Sequence, residues 1–378
     1  MRIFNHRSLL FGSLLLVVLA AGPAGTAEQG FVAVTGPCNF SFPDDHGPHP
    51  AYRTEWWYYT GNLTDEENHR FGFQLTFFRS GLRSPDRRRD WPQPASAWRS
   101  DQIYLAHAAV SDIHGGRHLQ AERMARPVLS LAGAEQTDAA VSITVYDWQA
   151  VIRPDGHRLS ARADDFSLAL DLTAAKPPVA HGEEGYSRKG QSPERASCYY
   201  SFTRLQAKGE LTVKGTRRRV KGSAWMDHEY STAPLQPGIV GWDWFSLQLS
   251  DRTEVMLFLL RQPDGTVNPA SSGTFVPPSG DARHLQAGDL QVIPLAYWTS
   301  PHSGARYPIQ WGLRIPSLEL DLAVTAGLED QEMRTPHSTG VVYWEGSVRA
   351  RGTRGHEDIE GMGYVELTGY AEPFDAPM

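Results

Sequence analysis

Hydrophobic and polar positions alternate with a period of two along much of the chain. Between Arg70 and Arg79 the residues Phe71, Phe73, Leu75 and Phe77 fall on one face, the signature of a half-buried strand. Glu55 to Leu63 (EWWYYTGNL) is dense in aromatic rings, and the polar stretch Thr64 to His69 reads as the turn between these two segments. The same pattern predicts strands over 103–111, 141–148, 166–172, 199–205, 223–228, 241–249, 254–261, 310–315, 318–324, 341–349 and 363–370. Asp155-Gly156 and Asp264-Gly265 supply turn chemistry. Leu82 to Asp101, with prolines at 85, 92 and 94, predicts a long inter-strand loop. No segment beyond the N-terminal apolar run carries a sustained helical stripe. Many short antiparallel strands imply an all-β protein of sandwiches or barrels, in which closure removes exposed edges.

A weak internal repeat divides the chain. Trp56-x-Tyr58 opens a hairpin that ends at Phe77-Phe78-Arg79, and Trp242-x-Trp244 opens one that ends at Leu259-Leu260-Arg261. Val220-x-Gly222-x-Ala224-Trp225-Met226-Asp227 likewise resembles Ile359-x-Gly361-x-Gly363-Tyr364-Val365-Glu366. The boundary is placed between Tyr230 and Gly241, where Pro234 and Pro237 interrupt the strand pattern. This predicts one barrel unit over residues 28–232 and another over 233–378.

The first 27 residues read as a signal peptide. Arg2, His6 and Arg7 precede an apolar run from Leu9 to Ala21, and small residues lead to an expected cut near Ala27. The run falls short of the ~20 residues of a spanning helix, although an uncleaved anchor is the alternative. The mature chain is expected to be exported, periplasmic or extracellular, with no membrane span. There Cys38 and Cys198 would be free to pair. Composition adds exclusions: 40% hydrophobic and 21% charged residues rule out disorder. A net charge of −7 gives nucleic acid no basic footprint, and two Cys cannot build a Cys-based zinc site.

Familiar catalytic motifs are absent. There is no G-x-S-x-G elbow, no His-Glu-x-x-His helix and no Walker lysine, so neither a metal nor another cofactor is expected. The sentence Ala224-Trp225-Met226-Asp227-His228-Glu229-Tyr230 stands out. An acid held among rings has its charged form disfavoured, so Asp227 reads as a candidate proton donor and His228 as base or orienting partner. Alternation aims Asp227 and Glu229 to one face and His228 to the other, unless a bulge gathers them. A capped strand end explains the same residues structurally. Glu55, Trp57 and Tyr59 share one face, and Trp56, Tyr58 and Thr60 the other. Either face can line a ligand cavity, or simply make core. His107, among small neighbours, reads as a cavity or core histidine, and Asp243 between Trp242 and Trp244 as a buried acid or a paired edge group.

The set Glu55-Trp56-Trp57-Tyr58-Tyr59-Thr60-Gly61, Phe71 to Thr76, Ala106-His107, Trp225-Met226-Asp227-His228 and Gly241-Trp242-Asp243-Trp244 resembles the AttH/carotenoid 1,2-hydratase (CrtC) family, over about Tyr52 to Tyr370. The resemblance implies two lipocalin-like antiparallel β-barrel domains in tandem, and an apolar lipid or isoprenoid-like ligand. Exported relatives described as secreted hydrolases or hydratases, some associated with ABC-type transporters, belong to that picture. Two functions follow as expectations. One is an apolar-ligand carrier, with a transporter as partner. The other is a cofactor-independent hydro-lyase, with a secreted hydrolase as a weaker option. Both place the ligand inside the first barrel, beside Asp227 and His228. Glu55, Trp56, Trp57, Tyr59, His107, Trp225, Tyr230, Trp242 and Asp243 are the expected lining.

Overall fold

The alternating segments do become strands in the computed structural model, which describes residues 30–374 apart from positions 95 and 234. The expected signal peptide lies outside the described residues. The first sheet is built from β1 (Thr54–Asp65), β2 (Arg70–Gly81), β3 (Gln102–Asp112), β4 (Arg117–Ala125), β5 (Ala132–Gln136), β6 (Val141–Val145), β7 (Trp148–Arg153), β8 (Gly156–Arg162), β9 (Phe166–Ala174), β10 (Val179–Ala180), β11 (Tyr186–Arg188), β12 (Ala196–Val213) and β13 (Thr216–Ser231). Its main path runs β4-β3-β2-β1-β13-β12-β9-β8-β7-β6-β5. The second comprises β14 (Gly241–Leu249), β15 (Glu254–Arg261), β16 (Ser272–Val276), β17 (Arg283–Gln286), β18 (Gln291–Thr299), β19 (Arg306–Ile315), β20 (Leu320–Ala326), β21 (Glu332–Arg334), β22 (Val342–Arg354) and β23 (Glu357–Leu367). It runs β17-β16-β15-β14-β23-β22-β20-β19-β18. Both sheets are antiparallel and barrel-like. The predicted loop after β2 carries a short 3-10 turn at Pro85–Asp90. Strand β18 escaped the sequence pattern because Pro294 interrupts it and its apolar residues Ile293, Leu295 and Tyr297 face outward.

The internal repeat is topological. The central order β2-β1-β13-β12 in the first sheet matches β15-β14-β23-β22 in the second. Tyr58 pairs with Asp227, which pairs with Ser201. In the other sheet Trp244 pairs with Glu366, which pairs with Glu345. Asp227 and Glu366 are thus equivalent positions of two related sheets.

The concave face of the first sheet is packed solid by Trp57, Tyr59, Phe71, Phe73, Leu75, Phe77, Trp148 and Met226, among others. Phe245, Trp311, Trp344 and Val365 do the same for the second. A different set, including Tyr58, Tyr199, Trp225, Trp244, Phe258 and Tyr364, forms a third cluster between the outer faces of the two sheets. Asn62 Nδ2 donates to the Gly363 carbonyl at 3.0 Å, and Gln248 Nε2 donates to the carbonyls of Thr203 at 2.8 Å and Ala224 at 2.9 Å. Gly72 permits the close approach: a Cβ there would meet Ser347 Cβ and Tyr364 Oη at 2.9 Å.

Cys38 and Cys198 are joined in a disulfide that ties the entry segment to β12 across 160 residues of sequence. Closing so long a loop restricts the unfolded chain strongly. Replacing both by Ser is expected to lower the unfolding free energy by roughly 2–5 kcal/mol in denaturant titrations. Reductant should reproduce the loss in the natural chain and leave the variant unmoved.

Candidate functional site

Strict alternation on β13 decides the geometry. Even-numbered Met226 and His228 point into the first barrel, while Trp225, Asp227 and Glu229 point outward toward the second sheet. No bulge falls between Thr54 and Asp65 of β1 and their β13 partners, so the register holds and Asp227 and His228 part company. The expected Asp-His pair does not form.

Inside the first barrel, His228 joins a charged plug rather than a ligand hollow. Glu55 is fully buried and accepts from Arg79 Nε at 2.8 Å, from the His49 ring at 2.8 Å and from His228 Nε2 at 3.0 Å. Burial alone would raise the Glu55 pKa, but the Arg79 charge, followed by the His228 and His49 hydrogen bonds, holds it below the usual carboxylate range. Burial pulls the His49 pKa down, yet hydrogen bonds to Asp45 and Glu55 outweigh it and lift the value to about 9. His228 is shifted down by burial, with Glu55 opposing, and stacks on Trp57 at 4.8 Å. Tyr230 stacks on His49 at 3.7 Å, and Tyr59 donates its hydroxyl hydrogen bond to His157 at 2.9 Å. The ligating atoms of His49, Glu55 and His228 lie within 4.8 Å of one another, as a metal site would need. Both His49 nitrogens, however, already face carboxylates, and Glu55 is neutralised by Arg79. The donor set fits an internal ion-pair network better than a cation site.

The cavity lies elsewhere, between the outer faces of the two sheets. It measures about 390 Å³. Trp56, Tyr58, Phe78, Leu105 and His107 line it from the first sheet, and Trp242, Trp244, Phe258, Leu260 and Tyr343 from the second. The expectation of a hollow in the first barrel is therefore corrected: that interior is filled by its own aromatic and branched side chains, and pairing two sheets back to back leaves the space between them. A second hollow of about 590 Å³, lined by Leu259, Val267, Leu290 and Val292, opens at the second sheet and carries no titratable group.

Four carboxyls front the inter-sheet cavity. Asp227 is 4% exposed. It accepts from Tyr199 Oη at 2.6 Å, from Trp225 Nε1 at 2.5 Å and from Ser201 Oγ. Burial pushes its pKa up to about 7 against those three donors. Across the cavity Glu366 accepts from Trp242 Nε1 at 2.9 Å and keeps some accessible surface because it fronts open space. Burial is also the largest cause of its rise to about 7, with Trp242 opposing and the charges of Asp227 and Glu229 adding. Glu345 sits directly opposite Glu366 in the ladder and is 1% exposed. Neither of its oxygens has a hydrogen-bond partner among the described residues, and burial, then Glu366, drive its pKa well above the carboxylate range. Glu229 is met by Lys189 Nζ at 3.4 Å, and that ammonium lies 3.7 Å from the centre of the Phe258 ring. Neutral acids in an apolar, aromatic-walled space can donate protons to a weakly basic guest.

Of the residues singled out from sequence, Trp56, His107, Asp227 and Trp242 meet at this cavity, and Trp225 supports Asp227. Trp57, Tyr59, His228 and Tyr230 belong to the first barrel's interior, together with the Glu55 carboxylate. Asp243 faces into the second barrel, where Arg261 Nε at 2.9 Å and Tyr370 Oη at 3.0 Å hold it. Sequence reasoning missed Glu345, Glu366, Tyr58, Tyr199, Trp244 and Lys189 as site residues. The repeat was the available signal, since it aligned Glu366 with Asp227.

A tandem lipocalin-like architecture with an acid-lined cavity between the sheets is the class these observations define. The chain belongs to the AttH-like family, which it matches over residues 33–370. It is similar to the crystal structure of an AttH from Nitrosomonas europaea, at 34% identity and a TM-score of 0.79, covering 90% of this chain and 100% of that one. Kievitone hydratase from Nectria haematococca shares the fold at 15% identity and a TM-score of 0.68, covering 90% and 96%. CghA with Sch210972 matches at 13% and 0.51 over the same shares. No curated protein matches the sequence significantly.

Two outcomes follow. Glu55→Gln leaves Arg79 buried without its counter-charge and should cost about 3–5 kcal/mol in chemical denaturation; a cost near zero would show the plug to be unimportant. Asp227 and Glu366 keep protons in the folded chain that the unfolded chain has released above its ordinary carboxylate pKa. Stability should therefore fall as pH rises from about 4 to about 7, by a few kcal/mol, with Glu345 carrying the fall further. The Asp227→Asn, Glu366→Gln double variant should show a smaller fall, the remainder belonging to Glu345, and a fall as large as the natural chain's would refute the assignment.

Proposed function

We propose that the cavity between the sheets binds an apolar, isoprenoid-like ligand and that its facing acids add water across a C=C bond, without a cofactor. The observation that carries this reading is the placement of buried, high-pKa carboxyls on opposite walls of one aromatic cavity. The Glu345–Glu366 pair is the acid side, because directly opposed carboxyls of this kind keep a proton at neutral pH. One carboxyl proton passes to an alkene carbon, and the tertiary cation left on the other carbon is faced by Trp56, Trp242 and Trp244. Water then bonds to that carbon and its surplus proton goes to the ionised form of Asp227, which a pKa of about 7 keeps populated at neutral pH and which three donors prepare to hold charge. Asp227 thus serves as base rather than acid, and His228 takes no part because it faces the other way. Similarity in fold to a protein called a hydratase supports the reaction class.

A carrier is the second reading, favoured by the largely apolar walls and the lipocalin-like architecture; a transporter partner belongs to that reading. The Cys38–Cys198 disulfide supports export to an oxidising compartment under either.

Incubation with a panel of alkenes bearing trisubstituted terminal double bonds, in water enriched in heavy oxygen, separates the two. Hydration should give a product heavier by one labelled water. Asp227→Asn should lower kcat by about 10²–10⁴ while ligand affinity, read from tryptophan quenching, stays nearly unchanged. Ligand bound but recovered unaltered from every incubation would leave only the carrier.

A further inference from the structure

The cavity's far end holds a set of polar groups that the proposed reaction does not use. His107 of β3 is buried, with Nδ1 2.8 Å from Tyr343 Oη and Nε2 2.9 Å from Ser338 Oγ. Ser338 Oγ in turn donates to Glu122 Oε2, and Glu122 also accepts from the backbone N–H of His337 at 3.0 Å. Glu122 and Ser338 retain solvent access, whereas Tyr343 does not. Tyr343 and Glu345 stand two residues apart on one face of β22, and the Glu345 charge acts on the Tyr343 hydroxyl. The series crosses between the sheets three times, with Glu122 and His107 from the first and Ser338, Tyr343 and Glu345 from the second.

We propose that Glu122, Ser338, His107 and Tyr343 form a proton path from the surface to the buried Glu345–Glu366 pair. The proposal rests on the acid role given to that pair above, since each hydration removes a proton there and deposits another on Asp227 at the opposite wall. Every member can accept one proton and release another, so the path moves charge without stranding an ion. A proton entering at Glu122 passes to Ser338 as its own hydroxyl proton moves to His107 Nε2. This direction uses the neutral tautomer with the proton on Nδ1, which arises when a protonated Glu122 turns donor to Ser338; His107 releases that Nδ1 proton to Tyr343 as Nε2 gains one, and the Tyr343 hydroxyl proton moves to Glu345. Burial keeps the imidazole neutral, with a pKa lowered to about 3, as tautomer exchange through it requires. A purely structural bridge between the sheets would need the hydrogen bonds but not an order of donors and acceptors that runs to a tyrosine hydroxyl beside a buried carboxyl with no hydrogen bond of its own among the described residues.

These four are positioning and relay residues, so the test reads proton movement in the full-length protein without any ligand. Rapid transfer into heavy water at about pH 6 shifts the infrared band of each buried neutral carboxyl as its proton exchanges. The Glu345 band is the one that Glu345→Gln removes, and the Asp227 band, removed by Asp227→Asn, is the internal control for folding. Tyr343→Phe and His107→Gln should slow exchange of the Glu345 band roughly a hundredfold while leaving the Asp227 band at its natural rate. Ser338→Thr, which keeps the hydroxyl, should restore what Ser338→Ala loses. Unchanged exchange at Glu345 in Tyr343→Phe and His107→Gln would overturn the path without touching the hydration reading, which the alkene incubations judge independently.

Discussion

The structure depends on two β-sheets packing back to back, outer face against outer face. In an isolated lipocalin-like barrel the outer face meets water and the inner face holds the guest. Here the inner faces are consumed by core, and the outer faces of β1, β2, β12 and β13 become interior because the second sheet covers them. Gly72 sets how closely the sheets approach at one end, and the Asn62 and Gln248 side-chain hydrogen bonds pin them there. Where large rings hold them apart, the cavity remains. Its polar groups are buried by domain packing, which is why their acidities depart so far from those of surface carboxyls.

The two ways of burying charge in this protein contrast sharply. Glu55 lies among Arg79, His49 and His228 and is kept ionised by them. Asp227, Glu345 and Glu366 front one cavity, and burial raises the pKa of each, to about 7 for Asp227 and Glu366 and well above the carboxylate range for Glu345. The first arrangement ties the entry segment to the barrel through His49, and losing any one partner would leave a buried charge uncompensated. The second leaves acids in a form that is reactive toward a guest and unfavourable for stability as pH rises, which is the trade expected at a functional site. Lys189 pairs with Glu229 while lying over Phe258, which brings positive charge to one corner of the cavity.

Much of the architecture was legible beforehand. Period-two patterning located β1, β2 and most later strands, and the repeat of Asp227 in Glu366 foretold that two related sheets would present equivalent acids. The family resemblance agreed with both. Alternation even stated the separation of Asp227 from His228, although an imagined bulge kept them together as a candidate pair. Strand β18 was illegible because its apolar residues are turned outward, against the usual rule for a half-buried strand.

By itself the sequence determined which side chains share a face of each strand, because the pleat leaves no freedom there. Trp57, Tyr59 and Glu55 had to lie together, as did Trp56 and Tyr58, and a one-residue slip would have reversed every choice at once. Only the tertiary structure decided which face is core and which is site. That outcome depends on whether a second sheet covers the outer face, a contact between residues as distant as Asn62 and Gly363 that no local pattern encodes. The same long-range packing turned Glu345, an unremarked acid in a strand, into a buried carboxyl facing Asp227's wall, since acidity is set by surroundings and not by the residue alone.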